Sequence, residues 1–287
     1  MEVIFLKKNI LTMVVVFFLL LFIWALVENK ALKITEYIVD CSENSNLSGF
    51  TIVHISDLHN EQFGEKQEKI LQMVKKCEPD MICITGDFID CRNPDVDIAM
   101  EFIEGAVEIA PIFYVPGNHE SWVGKEYEEL CNRMEEAGVN LIADQRTEIY
   151  YQGEEIVCLG VKDPDFFHTM GENGDKKLMK EKLEQLEYTK EEYTLLLSHR
   201  PELFDVYKEQ FIDLALAGHA HGGQFRLPIV GGLAAPDQGI LPKYDAGHFK
   251  DGNSNMIVSR GIGNSIIPLR FNNPPEIVVV TLLCYDE

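Results

Sequence analysis

Four short segments, Asp57-Leu58-His59, Gly86-Asp87, Gly117-Asn118-His119-Glu120 and Gly218-His219-Ala220-His221, together with the isolated His199, hold five of the chain's eight histidines. Imidazoles and carboxylates bind divalent cations or move protons, and each segment follows a strand-like apolar run, where ending a strand needs only turn residues. Jointly they describe a two-metal hydrolytic site, since two ions roughly 3.5 to 4 Å apart stabilise both the attacking and the leaving oxygen of an in-line phosphoryl displacement. Asp87 suits the bridging role, because a carboxylate has two oxygens and Gly86 lets the backbone turn tightly. Asp57 and His59, two apart, can converge on one ion. His219 and His221, also two apart, serve either the same ion or adjacent ions. Asn118 offers a neutral oxygen, leaving His119 for proton transfer to the leaving oxygen, with Glu120 expected to orient it. Mixed imidazole and carboxylate ligands favour manganese, iron or zinc over calcium. His54, His168 and His248 fit none of the segments and read as structural or surface residues.

The elements that must position these groups follow from periodicity. Apolar runs at 50–55, 81–85, 112–115, 194–197 and 212–217 read as buried strands, each ending just before a chemical segment. Helical spacing over 65–76, 95–109, 127–137 and 176–187 alternates with them, which argues for βαβ units and a largely parallel sheet with its site beyond the carboxyl ends of the strands. Short runs at 139–143, 147–152 and 155–161 read as meandering strands, and 256–259 and 277–283 complete two packed sheets flanked by helices.

Residues 10–27, ILTMVVVFFLLLFIWALV, carry no charge and at helical rise come close to the thickness of a bilayer's hydrocarbon layer. No small-x-small cleavage site precedes Glu28, so an uncleaved transmembrane anchor is expected, following a short tail at 1–9 and preceding a linker at 28–48 and a catalytic domain at 49–287. Lys7 and Lys8 are matched by Lys30 and Lys33, a tie in the positive-inside count. A first span this near the amino terminus commonly leaves its tail in the cytoplasm, so the expectation is a single-pass membrane protein with its domain outside the cytoplasm. The net charge of −22, from 47 acidic against 25 basic residues, repels polyanions and excludes nucleic acid as a general partner. Seven cysteines without a CxxC spacing suggest neither a zinc ribbon nor a disulfide framework.

The ordered set Asp-x-His, Gly-Asp, Gly-Asn-His-Glu, lone His and Gly-His-x-His resembles the calcineurin-like metallophosphoesterases over about residues 50–283. That resemblance implies a four-layer αββα sandwich. It also implies two divalent ions, one held by Asp57, His59, Asp87 and His221 and the other by Asp87, Asn118, His199 and His219. His119 would be the acid or transition-state stabiliser and a metal-activated hydroxide the nucleophile. Ser198-His-Arg-Pro-Glu202, the glycines after His221, and Ser259-Arg-Gly-Ile-Gly-Asn-Ser265 before Pro268 and Arg270 look like a membrane-associated bacterial branch. That branch includes enzymes similar to UDP-2,3-diacylglucosamine pyrophosphatases. The expected reaction is hydrolysis of a phosphodiester or pyrophosphate, with lipid linkage suggested by the anchor and Arg200, Arg226, Arg260 and Arg270 as candidate phosphate contacts. A phosphomonoester or phosphoprotein substrate is the alternative at the same site, and a non-catalytic metal-binding scaffold or sensor is the alternative of another class.

Overall fold

Between Met81 and Thr85 every side chain is buried, and successive residues face opposite ways as the strand pleat requires. Met81 and Cys83 join one apolar cluster, and Ile82 and Ile84 join another. The same split recurs at Leu195 and Leu197 against Leu196, so both sheets are covered on both faces. Fully burying a side chain of this kind contributes about 1.5–3 kcal/mol, which fixes the register of each strand.

The computed structural model describes residues 2–41, 46–169, 171–264 and 267–284. Strands are β1 Lys33–Asp40, β2 Thr51–Ile55, β3 Met81–Thr85, β4 Ile112–Val115, β5 Asn140–Leu141, β6 Gln145–Tyr151, β7 Glu154–Gly160, β8 Tyr193–Leu197 and β9 Leu214–Ala217. There follow β10 Arg226–Leu227, β11 Gly231–Gly232, β12 Ala234–Ala235, β13 Gly239–Ile240, β14 Gly247–Asp251, β15 Ser254–Val258 and β16 Glu276–Leu283. Helices are α1 Glu2–Glu28, α2 Glu68–Lys76, α3 Val96–Ala106, α4 Asn118–Ser121, α5 Gly124–Glu136, α6 Gly171–Glu184 and α7 Phe204–Glu209.

One six-stranded sheet runs β1-β16-β2-β3-β4-β5 and the other β14-β15-β9-β8-β7-β6. Their inner faces meet through Ile52, Cys83 and Phe113 on one side and Cys158, Leu197 and Leu216 on the other. Helices α2, α3 and α5 cover the first sheet's outer face, and α6 and α7 cover the second's, giving the expected αββα order. Within each sheet the strands that matter are parallel, β2-β3-β4 and β8-β9, so their carboxyl ends share a rim.

Two expectations are corrected. The segment 28–48 is not merely a linker, because α1 runs to Glu28 and Lys33–Asp40 pairs in parallel with β16 as an edge strand. Nor are the cysteines all free: Cys41 and Cys284, just past the ends of those two strands, form a disulfide. Helix α1 already begins at Glu2, inside the expected tail, and its stretch Asn9–Glu28 is long and apolar enough to cross a membrane, with 6% of its most apolar window buried. Met1, Ser265 and residues 285–287 lie outside the described residues.

Candidate metal centre

Both sheets deliver their chemistry through turns that leave the strand abruptly. Asp57, His59, Asp87, His219 and His221 all have positive φ, between 45° and 65°. Non-glycine residues rarely adopt that region, and where they cluster the strain marks a functional site. Two glycines make room. A Cβ on Gly86 would sit 2.2 Å from the Gly117 nitrogen, and one on Gly218 would sit 1.8 Å from Ser56 Oγ.

The two rims are tied together by backbone. The Asp57 N–H donates to the Gly86 carbonyl at 3.0 Å, and the His219 N–H donates to the Asp57 carboxylate at 3.1 Å. The His119 N–H donates to Asp87 Oδ1 at 2.8 Å. That leaves Asp87 Oδ2 turned inward, 3.5 Å from His59 Nε2 and 3.3 Å from His199 Nε2.

Around this oxygen the donor atoms form two groups, Asp57, His59, Asp87 and His221 in one, Asp87, His199 and His219 in the other. In the first, His59 Nε2 and His221 Nε2 lie 3.2 Å apart, and His221 Nε2 lies 3.4 Å from Asp57 Oδ1. Burial pushes the His59 imidazole down to about 3 and His221 well below its ordinary value, so both are neutral bases. In the second, His199 Nδ1 donates to the Thr85 carbonyl at 2.7 Å, aiming Nε2 at Asn118 Oδ1 (3.1 Å), His219 Nδ1 (3.2 Å) and Asp87 Oδ2. Burial opposes a charge on His199, yet the Asp87 carboxylate beside it raises it to about 10. Buried carboxylates and imidazole nitrogens that converge in this way are a donor set that two divalent cations fit.

His119 is different. Its Nδ1 accepts the Cys91 backbone N–H at 3.1 Å, so the neutral ring carries its proton on Nε2, which faces Asp87 Oδ2 at 3.9 Å. Trp122, exposed, lies against it with ring centroids 5.2 Å apart.

Glu120 does not orient His119. Its carboxylate accepts the backbone N–H groups of Asp87, Phe88, Ile89 and Gly117 at 2.7–3.1 Å, so it holds the Asp87 turn instead. Nor are Arg200 and Arg270 free to bind phosphate. Arg200 is buried and paired with Asp163 at 2.5 and 2.9 Å, with Asp165 at 3.0 Å, and with Asp237. Arg270 is wholly buried, donating to the carbonyls of Arg260, Gly263 and Asn273. Arg226 pairs with Asp245 at 2.9 Å and Arg260 lies 3.5 Å from Glu276. His54 is a buried residue bonded to Thr85 Oγ1 at 2.7 Å, and His248 bonds Asn255 at 2.9 Å.

One participant was not read from the sequence. Asp237, on the turn between β12 and β13, accepts a hydrogen bond from the His219 Nε2–H at 2.9 Å, leaving Nδ1 as the free base that faces His199. The His219 hydrogen bond, with help from Arg200, holds Asp237 well below the usual carboxylate range. A carboxylate behind a ligating imidazole fixes its tautomer and raises its basicity.

A family model described as calcineurin-like phosphoesterase matches residues 50–223. The chain is 28% identical to phosphodiesterase YaeI of Escherichia coli over 83% of its own length and 84% of the relative's. It is 27% identical to the uncharacterised metallophosphoesterase YkuE of Bacillus subtilis over 89% and 87%. Among solved structures, TT1561 of Thermus thermophilus superposes with a TM-score of 0.50 at 16% identity, covering 75% of this chain and 91% of that one.

Proposed function

The chain belongs to the calcineurin-like phosphoesterase family, a metal-dependent class of phosphoric ester hydrolases, and from that premise we propose that it is a membrane-anchored phosphodiesterase or pyrophosphatase. The observation that carries the hydrolytic reading is Asp87 Oδ2, set between two groups of buried imidazoles with its partner oxygen tied to the His119 amide. In this reading Asp57, His59, Asp87 and His221 hold one ion, and Asp87, Asn118, His199 and His219 hold the other. Two bound divalent ions would lower the pKa of water and neutralise charge on the phosphoryl oxygens.

The chain's own residues do the rest. The Thr85 carbonyl accepts a hydrogen bond from His199 Nδ1 and the Asp237 carboxylate one from His219 Nε2, so that the opposite nitrogens are the ones a cation would meet. Asp57 and Asp87 supply the negative charge that holds cations, and the amides of His219 and His119 keep those carboxylates from rotating. His119, with its proton on Nε2, donates to the leaving oxygen as the ester bond breaks, a role most needed for a poor alkoxide leaving group.

The diester preference is supported by the name of the Escherichia coli relative. The anchor is supported by the exposed apolar faces of α1. A domain outside the cytoplasm gains support from the Cys41–Cys284 disulfide, since such bonds persist in oxidising compartments. A lipid-linked substrate such as a nucleotide diphosphate-diacylglucosamine fits a tethered site of this kind. Turnover of bis-p-nitrophenyl phosphate, p-nitrophenyl phosphate and a vesicle-borne UDP-lipid by the full chain tests the reading. Diester or pyrophosphate cleavage is expected, and cleavage of the monoester alone would overturn it.

A further inference from the structure

Asn29, one residue past α1, donates to the Pro268 carbonyl at 2.7 Å and accepts the Arg270 N–H at 2.7 Å. The anchor is therefore hydrogen-bonded to the loop that precedes β16. That loop in turn receives Gln224 Nε2 at the carbonyls of Ile267 and Leu269, both at 2.7 Å, and the Arg226 N–H at the Phe271 carbonyl at 2.9 Å. Gln224 and Arg226 are the root of two small hairpins, β10-β11 and β12-β13, stitched together by Leu233 N–H to Phe225 O and Leu241 N–H to Leu233 O, both 2.9 Å. A continuous path of hydrogen bonds thus leads from the end of the anchor to the hairpins. It also leads to the metal centre, because His221 lies three residues before Gln224 and Asp237 on the second hairpin holds His219.

These hairpins present apolar side chains to the outside. Leu227, Ile229, Val230, Ile240 and Leu241 are exposed, joined by Ile267 from the neighbouring loop. Ile229 is 108% exposed and Ile240 84%, and Ile229 is held at φ 71°, a conformation that β-branched residues rarely adopt. Between Leu227 and Leu241 the only charged residue is Asp237, which is bonded back to His219 and Arg200. In a chain of net charge −22, an apolar surface whose one charge is internally paired, beside the end of an apolar anchor, has a specific physical meaning.

We infer that the two hairpins, residues 226–241, form a second membrane contact: they rest in the interfacial layer of the bilayer that α1 spans and turn the mouth of the metal centre towards the lipid headgroups. This rests on the anchor reading above. A surface of Leu, Ile and Val whose one charge, Asp237, is paired with Arg200 and His219 partitions into the boundary between headgroups and acyl chains, and the anchor's attachment to the same loop keeps the bilayer within reach. The ester group presented to the site is then one at the membrane surface.

The test uses the full chain in liposomes whose phosphatidylcholine carries brominated acyl chains, which quench tryptophan at close range. On a Trp24→Phe, Trp122→Phe background, with hydrolysis followed in the chain that keeps both tryptophans, Ile229→Trp and Ile240→Trp place reporters on the two hairpins. Phe211→Trp is the control, exposed and just ahead of β9, at the end of that strand away from His219. Emission at positions 229 and 240 is expected to shift to the blue and to be largely quenched by bromine, while that at 211 is not. Equal emission at all three positions, in chains that float with the liposomes, overturns the hairpin contact and leaves the anchor standing. Emission that changes with protein density and not with bromine identifies a second copy of the chain as the occupant and overturns it equally. A chain that fails to float removes the anchor reading, and the contact with it. Quenching without hydrolysis of any phosphoester upholds the contact and refutes the proposed activity.

Discussion

Replacing Asp237 by alanine isolates the tautomer control of His219. The carboxylate is 2.9 Å from Nε2, whereas Arg200 Nη1 waits 3.4 Å from the same nitrogen. Once the acceptor is gone, the guanidinium can donate to Nε2, which moves the ring proton to Nδ1 and blocks the nitrogen that faces His199. Arg200 itself stays fixed by Asp163 and Asp165, so the fold should persist. Loss of such a partner typically weakens metal affinity by about 10- to 100-fold, or about 1.4 to 2.7 kcal/mol. Asp237 is 53% exposed, so solvent screens its charge and the expectation lies at the lower end. Calorimetric titration of the metal-free full chain with manganese should give two binding events in the native protein. Only one should weaken in Asp237→Ala, and Asp237→Asn, which keeps an acceptor for the Nε2 proton, should fall between. Unchanged affinity at both sites, with an unchanged melting temperature, would refute the assignment of Asp237.

Other perturbations separate the parts of the centre. His119→Ala should retain both metal equivalents by elemental analysis yet lower kcat by about 10²- to 10⁴-fold, with the smallest loss on esters of acidic phenols; lost metal would point to a ligand role instead. Gly218→Ala places a Cβ 1.8 Å from Ser56 Oγ and 2.4 Å from Asp57 Oδ2, so bound metal and activity should fall together, and full metal content in this variant would contradict the packing described. Chelation should abolish hydrolysis, and re-addition of manganese, iron or zinc should restore it; activity indifferent to chelator would rule out the two-ion reading. Cys41→Ser with Cys284→Ser opens a covalent loop with a sequence separation of 243 residues. The chain-entropy account gives about 5 kcal/mol for such a loop, so thermal melting should fall while metal stoichiometry holds, and an unchanged melting curve would show that the cross-link contributes little.

The strands were legible because burial on both faces leaves near-continuous apolar runs, and Asp57, Asp87, Asn118, His199 and His219 follow such runs within a few residues. What escaped was non-local or concealed by turn composition. Lys33–Asp40 is an edge strand whose partner comes more than two hundred residues later, and its mixed sequence KITEYIVD looks like a linker without that partner. The Cys41–Cys284 bond depends on the same distant pairing. Asp237 sits in Pro236-Asp-Gln-Gly239, a composition explained by the turn alone, so nothing local pointed to His219. Glu120 was assigned to the adjacent histidine by sequence proximity, whereas the Asp87 turn, thirty-three positions away, offers its amides. All four arginines look like phosphate contacts in the sequence because charge is visible there, whereas the burial of Arg200 against Asp163 and of Arg270 among backbone carbonyls is not.

Strand β16 lies between β1, to which it is parallel, and β2, to which it is antiparallel, and β2 is the strand that presents Asp57. The first sheet is therefore cut in two until residues 276–283 have been made, with β1 left without its neighbour and β2 with an open edge. Assembly of the metal centre is in this sense a late event in the life of each molecule. A polypeptide still lacking β16 holds α1 and every proposed ligand but not a finished sheet, and a metal that bound at that stage would meet a loose set of side chains. Long-range closure of this kind is slow and leaves strand edges exposed meanwhile. Protection of β2 from an aggregating partner during that interval falls to the nascent chain's surroundings, which makes yield in expression more sensitive to lesions in β16 than its distance from the chemistry would suggest.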